Sequence, residues 1–185
     1  METRFINLCK KGDLIWLQQL LKLNPEINIS AINDEAFRYT CANGHLHVAQ
    51  WLLQVSKEKG QDINISAENE FAFRWACYNG HLEVAQWLLR VSKEKGQDIS
   101  ISAKNEYAFR NSCSQGHLHV CKWLKTLNPN YEIINEDRPN WSCIIKNPKD
   151  IKWEKNKKLV ALASQPGNIV GDMPTDLVRM TASYL

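Results

Sequence analysis

The chain has 185 residues, 44% of them hydrophobic and 23% charged, with a formal net charge of +3. That is the composition of a soluble globular protein of about one domain. Its longest uninterrupted apolar run, Leu159 to Ala163, is far too short to span a membrane, and Lys10, Lys11 and Asp13 interrupt the N-terminal segment before it reaches signal-peptide length. So mild an excess of base does not demand a nucleic-acid partner, and the expected setting is intracellular, in the cytoplasm.

Read in chain order, the first signal is Gly12-Asp13, followed by Gly44-His45, Gly80-His81 and Gly116-His117. The last three are spaced 36 residues apart, and Gly12 lies 32 residues before Gly44. Residues 45–80 and 81–116 are identical at 27 of 36 positions. A period of this size predicts a stack of supersecondary units rather than one core folded from the whole chain. The units fall at about 1–31, 32–67, 68–103 and 104–135, and a different kind of sequence follows.

Within a unit the pattern predicts two short helices. The first runs over about 72–78, where Ala72, Phe73, Ala76 and Cys77 make one apolar stripe at helical spacing. Asn79-Gly80 ends it, because glycine readily takes the left-handed conformation of a helix C-terminus. The second runs over about 82–91, with Val84, Ala85, Leu88 and Leu89 on one face. Helices this short are marginal alone, so neighbouring units must hold them. Residues 92–105 carry lysines, Gly96, Asp98 and Asn105 and suit an extended connection with turns.

The run Ala76-Cys-Tyr-Asn-Gly-His-Leu-Glu-Val-Ala-Gln-Trp-Leu-Leu89 resembles the ankyrin repeat family, whose pattern is Ala-Ala-x-x-Gly-His-x-Glu-Val-Val-x-x-Leu-Leu. Residues 41–53 and 113–124 repeat it, and residues 9–14 look like a reduced N-terminal copy. The resemblance covers about residues 3–135. It implies an all-α ankyrin solenoid of about four helix-turn-helix repeats that binds a protein partner on an extended concave surface. The family's Thr-Pro-Leu-His opening is replaced by Glu35-Ala-Phe-Arg38, Phe71-Ala-Phe-Arg74 and Tyr107-Ala-Phe-Arg110, so an arginine stands where the family histidine ties adjacent turns. The 36-residue unit is similar in style to ankyrin proteins of large DNA viruses.

Chemistry is not expected from this sequence. Cys9, Cys41, Cys77 and Cys113 each sit three residues before the repeat glycine; with no secretory signal they read as small buried hydrophobes rather than disulfide partners. The Cys-x-x-x-His pairs and His117-x-His119-x-Cys121 supply too few convergent ligands per repeat for a zinc site, so no metal or cofactor is predicted. No nucleophile elbow or phosphate-binding loop occurs, so an enzyme is not predicted either.

Positions that differ between near-identical repeats are free to address a partner. They are Glu35, Phe71 and Tyr107 at the helix entrance, Tyr39, Trp75 and Asn111 one turn on, then Ala42, Tyr78 and Ser114. In the family these places line the concave groove, and Phe71, Trp75 and Tyr78 would form an aromatic patch of the kind that anchors interfaces. The alternative is that the rings only cover the first-helix layer. The repeat-invariant Trp51, Trp87 and Trp123 read as packing.

Residues 136–167 hold Trp141, Trp153 and a basic stretch, 146–158, that suits a linker or a cap for the last repeat; nucleic-acid binding through these lysines is the weaker reading. Residues 168–185 end in an amphipathic helix pattern: Pro174 and Asp176 in the first turn, then Leu177, Met180, Tyr184 and Leu185 on one face. With Met173 this resembles the opening of an F-box, and poxvirus-type ankyrin proteins end in a comparable truncated F-box. That resemblance implies docking to the adaptor subunit of an SCF-type ubiquitin ligase, in a host cytoplasm or nucleus, and substrate recruitment by a monomer. The competing reading is a scaffold or inhibitor whose last helix is a structural cap.

Overall fold

In the computed structural model, residues 1–134 and 142–145 are described. The helix predicted within 168–185, with the F-box-like positions Met173 to Leu185, and the basic stretch 146–158 lie outside the described residues. Among the described residues there are eight helices: α1 (Glu2–Lys11), α2 (Leu14–Leu23), α3 (Ala31–Ala42), α4 (Leu46–Glu58), α5 (Ala67–Tyr78), α6 (Leu82–Glu94), α7 (Ala103–Ser114) and α8 (Leu118–Leu127). They form four helix-turn-helix units. The odd-numbered helices pack on one another in sequence, α1 on α3 on α5 on α7, and each even-numbered helix backs the helix before it.

The turn inside each unit explains the repeating glycine. The Gly80 amide bonds to Cys77 O at 3.1 Å and the His81 amide to Ala76 O at 2.8 Å, which closes the first helix and requires φ of 79° at Gly80. Space imposes a second requirement. A Cβ on Gly12, Gly44 or Gly80 would stand 2.5, 2.6 or 2.7 Å from the imidazole of the next repeat, His45, His81 or His117. Each repeat's histidine thus lies against the glycine of the repeat before it. His45 Nε2 donates to Lys10 O at 3.1 Å, and Asn43 and Asn79 donate across the same junctions to Lys10 O and Ala42 O, both at 2.8 Å. Burial, together with His45 and His117 on either side, lowers the pKa of His81 and favours the neutral ring.

The core is periodic as well. Phe37, Phe73 and Phe109, Val48 and Val120, and Leu52, Leu88 and Leu124 are fully buried. Each phenylalanine is covered by an aromatic ring of the next unit: Phe5 by Trp51, Phe37 by Trp87 and Phe73 by Trp123, at centroid distances of 6.4, 6.2 and 6.3 Å. The tryptophans therefore pack, as the sequence indicated. Cys9, Cys41 and Cys77 are free and buried. Burial pushes the Cys9 thiol up to about 12 and Cys41 well above the ordinary thiol value, so these three behave as small hydrophobes.

The end of the stack departs from the sequence reading. A hairpin of β1 (Tyr131–Ile134) and β2 (Ser142–Ile145) follows α8, with Tyr131 opposite Ile145 and Ile134 opposite Ser142. Phe109 has no following tryptophan, and Tyr131 takes that place, stacked at 4.0 Å and 6°; its hydroxyl donates to Glu106. Tyr131 thus covers the last repeat; Trp141 and Trp153, expected to cap it, lie outside the described residues. The second departure is Cys113, which is disulfide-bonded to Cys143 and not, as expected, an unpaired hydrophobe. Cys9, Cys41 and Cys77, at equivalent positions of the stacked repeats, stay unpaired, but β2 brings Cys143 from outside the repeats onto α7.

The cap generates a stability prediction. Tyr131→Ala should cost about 3 kcal/mol in urea unfolding, because Phe109 loses its covering ring. Tyr131→Phe keeps the stack and should cost about 1 kcal/mol, the worth of one hydrogen bond.

Candidate partner-binding surface

The first helix of each of units two to four opens on a left-handed turn. Ile32, Asn33 and Asp34 have φ of 56°, 52° and 60°, and Glu68-Asn69-Glu70 and Lys104-Asn105-Glu106 repeat this conformation. Three successive non-glycine residues there are costly, roughly 1–2 kcal/mol each, and asparagine at the centre is among the residues that tolerate it best. The arginine that replaces the family histidine holds the turn. Arg38 Nε donates to Asn33 O at 2.7 Å and Nη2 to Ile32 O at 3.1 Å; Arg74 Nε donates to Asn69 O at 2.7 Å and Nη2 to Glu68 O at 3.2 Å. Both side chains are 8% exposed, and burial lowers the pKa of Arg74.

The same guanidiniums carry aromatic rings. Arg38 lies 5.0 Å from the centroid of Phe71, and Arg74 lies 4.9 Å from that of Tyr107, each ring belonging to the next unit. From this support a continuous series of half-buried rings runs across units two to four. Tyr39 meets Phe71 edge-on at 5.3 Å, Phe71 stacks on Trp75 at 5.6 Å, and Trp75 meets Tyr78 at 4.9 Å and Tyr107 at 6.0 Å. Tyr78 and Tyr107 close the triangle at 6.4 Å. These spacings are those of rings packed directly on each other.

The structure thus brings together five of the nine differing positions named from the sequence. Of the other four, Ala42 is buried and Ser114 exposed without adding a ring, while Glu35 and Asn111 bound the series. Glu35 pairs with Lys10 at 3.0 Å, and Lys10 Nζ sits 4.1 Å from the Tyr39 ring centroid. Asn111, at the position of Trp75, donates to Tyr107 O at 3.0 Å and adds no ring. Sequence reasoning missed the supporting roles of Lys10, Arg38 and Arg74, although the arginine at the family histidine position was a visible signal. It also missed a cavity of about 440 Å³ at the junction of units two and three, lined by Asp34, Asp62, Asn64 and Glu68 among others.

The chain is similar to known ankyrin proteins. The family model described as ankyrin repeats in three copies matches residues 5–103. Among solved structures, an ankyrin repeat family protein from Legionella pneumophila is 35% identical, with a TM-score of 0.57; the match covers 67% of this chain and 36% of that one. This chain therefore spans about a third of the length of that relative. No curated protein matches.

Arg74→Ala should destabilise the protein by about 2–3 kcal/mol in urea unfolding, since two carbonyls of a left-handed turn lose a charged donor. Arg74→Lys should recover little, because one ammonium does not reproduce the guanidinium fork. Arg110→Ala, at the exposed equivalent position, should stay within about 0.5 kcal/mol.

Proposed function

Because the chain belongs to the ankyrin repeat family, we propose that it is a protein-binding module whose contact surface is the ring series Tyr39, Phe71, Trp75, Tyr78 and Tyr107, on the concave side of the solenoid. The observation that carries this is the continuity of the series. Five half-buried rings in unbroken contact stand at positions where otherwise near-identical repeats differ. Stacking does not need them: Phe37, Phe73 and Phe109 and their covering rings already close the core. Pre-ordered aromatics lose little side-chain entropy on binding, which is why such residues dominate interface energetics. The packed spacing favours a partner lying across the rings over one inserted between them.

The test is affinity capture with the wild-type chain and with Trp75→Ala, followed by measurement of the captured protein's dissociation constant. Loss of the central ring should weaken the complex at least about 30-fold, or about 2 kcal/mol, while the unfolding midpoint moves little. A partner held equally well by Trp75→Ala would rule the surface out.

The C-terminal pattern supports a finer reading, substrate recruitment to an SCF-type ubiquitin ligase through an F-box-like helix over Met173, Pro174, Asp176, Leu177, Met180, Tyr184 and Leu185. The basis is that sequence pattern and its resemblance, with the 36-residue unit, to viral ankyrin proteins; an amphipathic helix in a groove is the docking mode implied. The cap alternative is weakened because Tyr131 already covers Phe109. Pulldown with and without residues 168–185 decides: the full chain should retain a ligase adaptor and the truncated chain should lose it, whereas no capture by either sinks the reading.

A further inference from the structure

The chain has six cysteines, and four of them, Cys9, Cys41, Cys77 and Cys113, mark the repeat register. The other two, Cys121 and Cys143, have no counterpart in any repeat, and both meet the last of those four. Cys143 arrives on β2 and is bonded to Cys113. Cys121 arrives on α8, and its sulfur lies 3.0 Å from the Cys113 sulfur. In the two preceding units the position of Cys121 is held by Ala49 and Ala85, both fully buried. Packing therefore does not call for a thiol there. Half of the chain's cysteines gather at one point, and only one of the three belongs to the repeat pattern.

A thiol in contact with a disulfide is placed for thiol–disulfide exchange, in which a thiolate attacks one sulfur of the bond and the other sulfur leaves. Contact selects the direction. Cys121 touches the Cys113 sulfur, so Cys113 is the sulfur attacked and Cys143 is the leaving group. Ser112 Oγ stands 3.2 Å from the Cys121 sulfur, close enough to donate to a thiolate formed there. Burial raises the Cys121 thiol above its ordinary range and Ser112 pulls it back, which makes it a slow nucleophile in the intact fold. The two pairings differ in what they tie. The present link spans 30 residues and fastens β2 to α7; a link between Cys113 and Cys121 spans 8 residues and joins only α7 to α8.

We propose that Cys113, Cys121 and Cys143 form a disulfide-exchange relay, in which Cys113 changes partner from Cys143 to Cys121 and β2 is released from the end of the stack. Cys121 gives up its proton and its sulfur bonds to Cys113. The Cys113–Cys143 bond breaks, its electron pair goes to the Cys143 sulfur, and that sulfur takes a proton from water. One disulfide and one thiol stand on each side, so the step consumes no oxidant or reductant. The released Cys143 is half-buried, within reach of a thiol-reactive group, whereas Cys121 is fully buried. The chain continues from β2, so the relay decides whether the residues beyond 145 are cross-linked to the repeats.

The test uses the full chain purified without reductant. It is incubated with N-ethylmaleimide and quenched in acid at intervals, and its disulfides and labelled cysteines are mapped by mass spectrometry after digestion. Label on Cys143 and a Cys113–Cys121 peptide pair should accumulate together, because alkylation removes Cys143 from the exchange. Cys9, Cys41 and Cys77, buried in the repeats, are the internal references and should lag behind. Cys121→Ala, which copies Ala49 and Ala85, should fold as the wild type does and label at Cys143 at least about tenfold more slowly. Limited proteolysis should cut the alkylated wild-type chain between residues 134 and 145 faster than the untreated chain. The wild-type peptide map decides without the variant. Cys143 left unlabelled, label on Cys121 in its place, a Cys121–Cys143 pair, or all three cysteines recovered as free thiols before alkylation would each overturn the relay, as would equal labelling of Cys143 in Cys121→Ala.

Discussion

Each of the first three repeats buries its phenylalanine under a ring that belongs to the next repeat. The helices are 10 to 13 residues long, too short to persist alone, and Phe5, Phe37 and Phe73 complete their burial only when Trp51, Trp87 and Trp123 arrive. Stability is therefore a property of junctions rather than of units. The Gly-His contact enforces the same dependence from the other edge of the helix pair. Glycine at positions 12, 44 and 80 is fixed by its own left-handed backbone and also by an imidazole that arrives from the following unit. At the end of the array the rule must be broken, and Tyr131 breaks it with a strand instead of a helix.

The second organising feature is strain held in place by charge. A left-handed turn of three residues has no intrinsic reason to persist at Ile32-Asn33-Asp34 or Glu68-Asn69-Glu70, and a β-branched isoleucine is among the worst occupants. Buried Arg38 and Arg74 bind the carbonyls of those turns and then support Phe71 and Tyr107 from below. The rings are thus ordered from beneath before any partner arrives. The same guanidiniums that hold the backbone of the turns also lie against the Phe71 and Tyr107 rings, so one buried group serves both.

This division explains what could be read from the sequence. The repeat, its helices and its register were legible because they rest on local rules: a 36-residue period, apolar residues at helical spacing, and glycine where a helix ends. The aromatic positions were legible because near-identical repeats differ there, Glu35, Phe71 and Tyr107 being the plainest case. The left-handed turns were not, since no glycine marks them; at two of the three, an arginine five or six residues later reaches back to the turn's carbonyls. Tyr131 and the Cys113–Cys143 link were hidden for a related reason. Both depend on a strand folding onto α7, which is a tertiary fact without a local pattern. The acidic cavity combines residues 30–34 with 62–68, and only their juxtaposition brings Asp34 and Asp62 together.

Set against one another, the invariant and variable positions assign two kinds of work to the same short helix. Phe73, Ala76 and Cys77 face the core and repeat almost unchanged as Phe37, Thr40 and Cys41 or as Phe109, Ser112 and Cys113. One residue along, Trp75 and Tyr78 change to Tyr39 and Ala42 on one side and to Asn111 and Ser114 on the other. A substitution on the core-facing set is felt at two junctions at once, since each junction completes the core of the next. A substitution on the ring-bearing set changes only what the surface offers. The repeat can therefore be copied nearly verbatim for folding while its outward residues are rewritten, and in this chain the rewriting is densest at the unit where Phe71, Trp75 and Tyr78 stand together, between an acidic junction and a fourth unit that adds Tyr107 alone to the series.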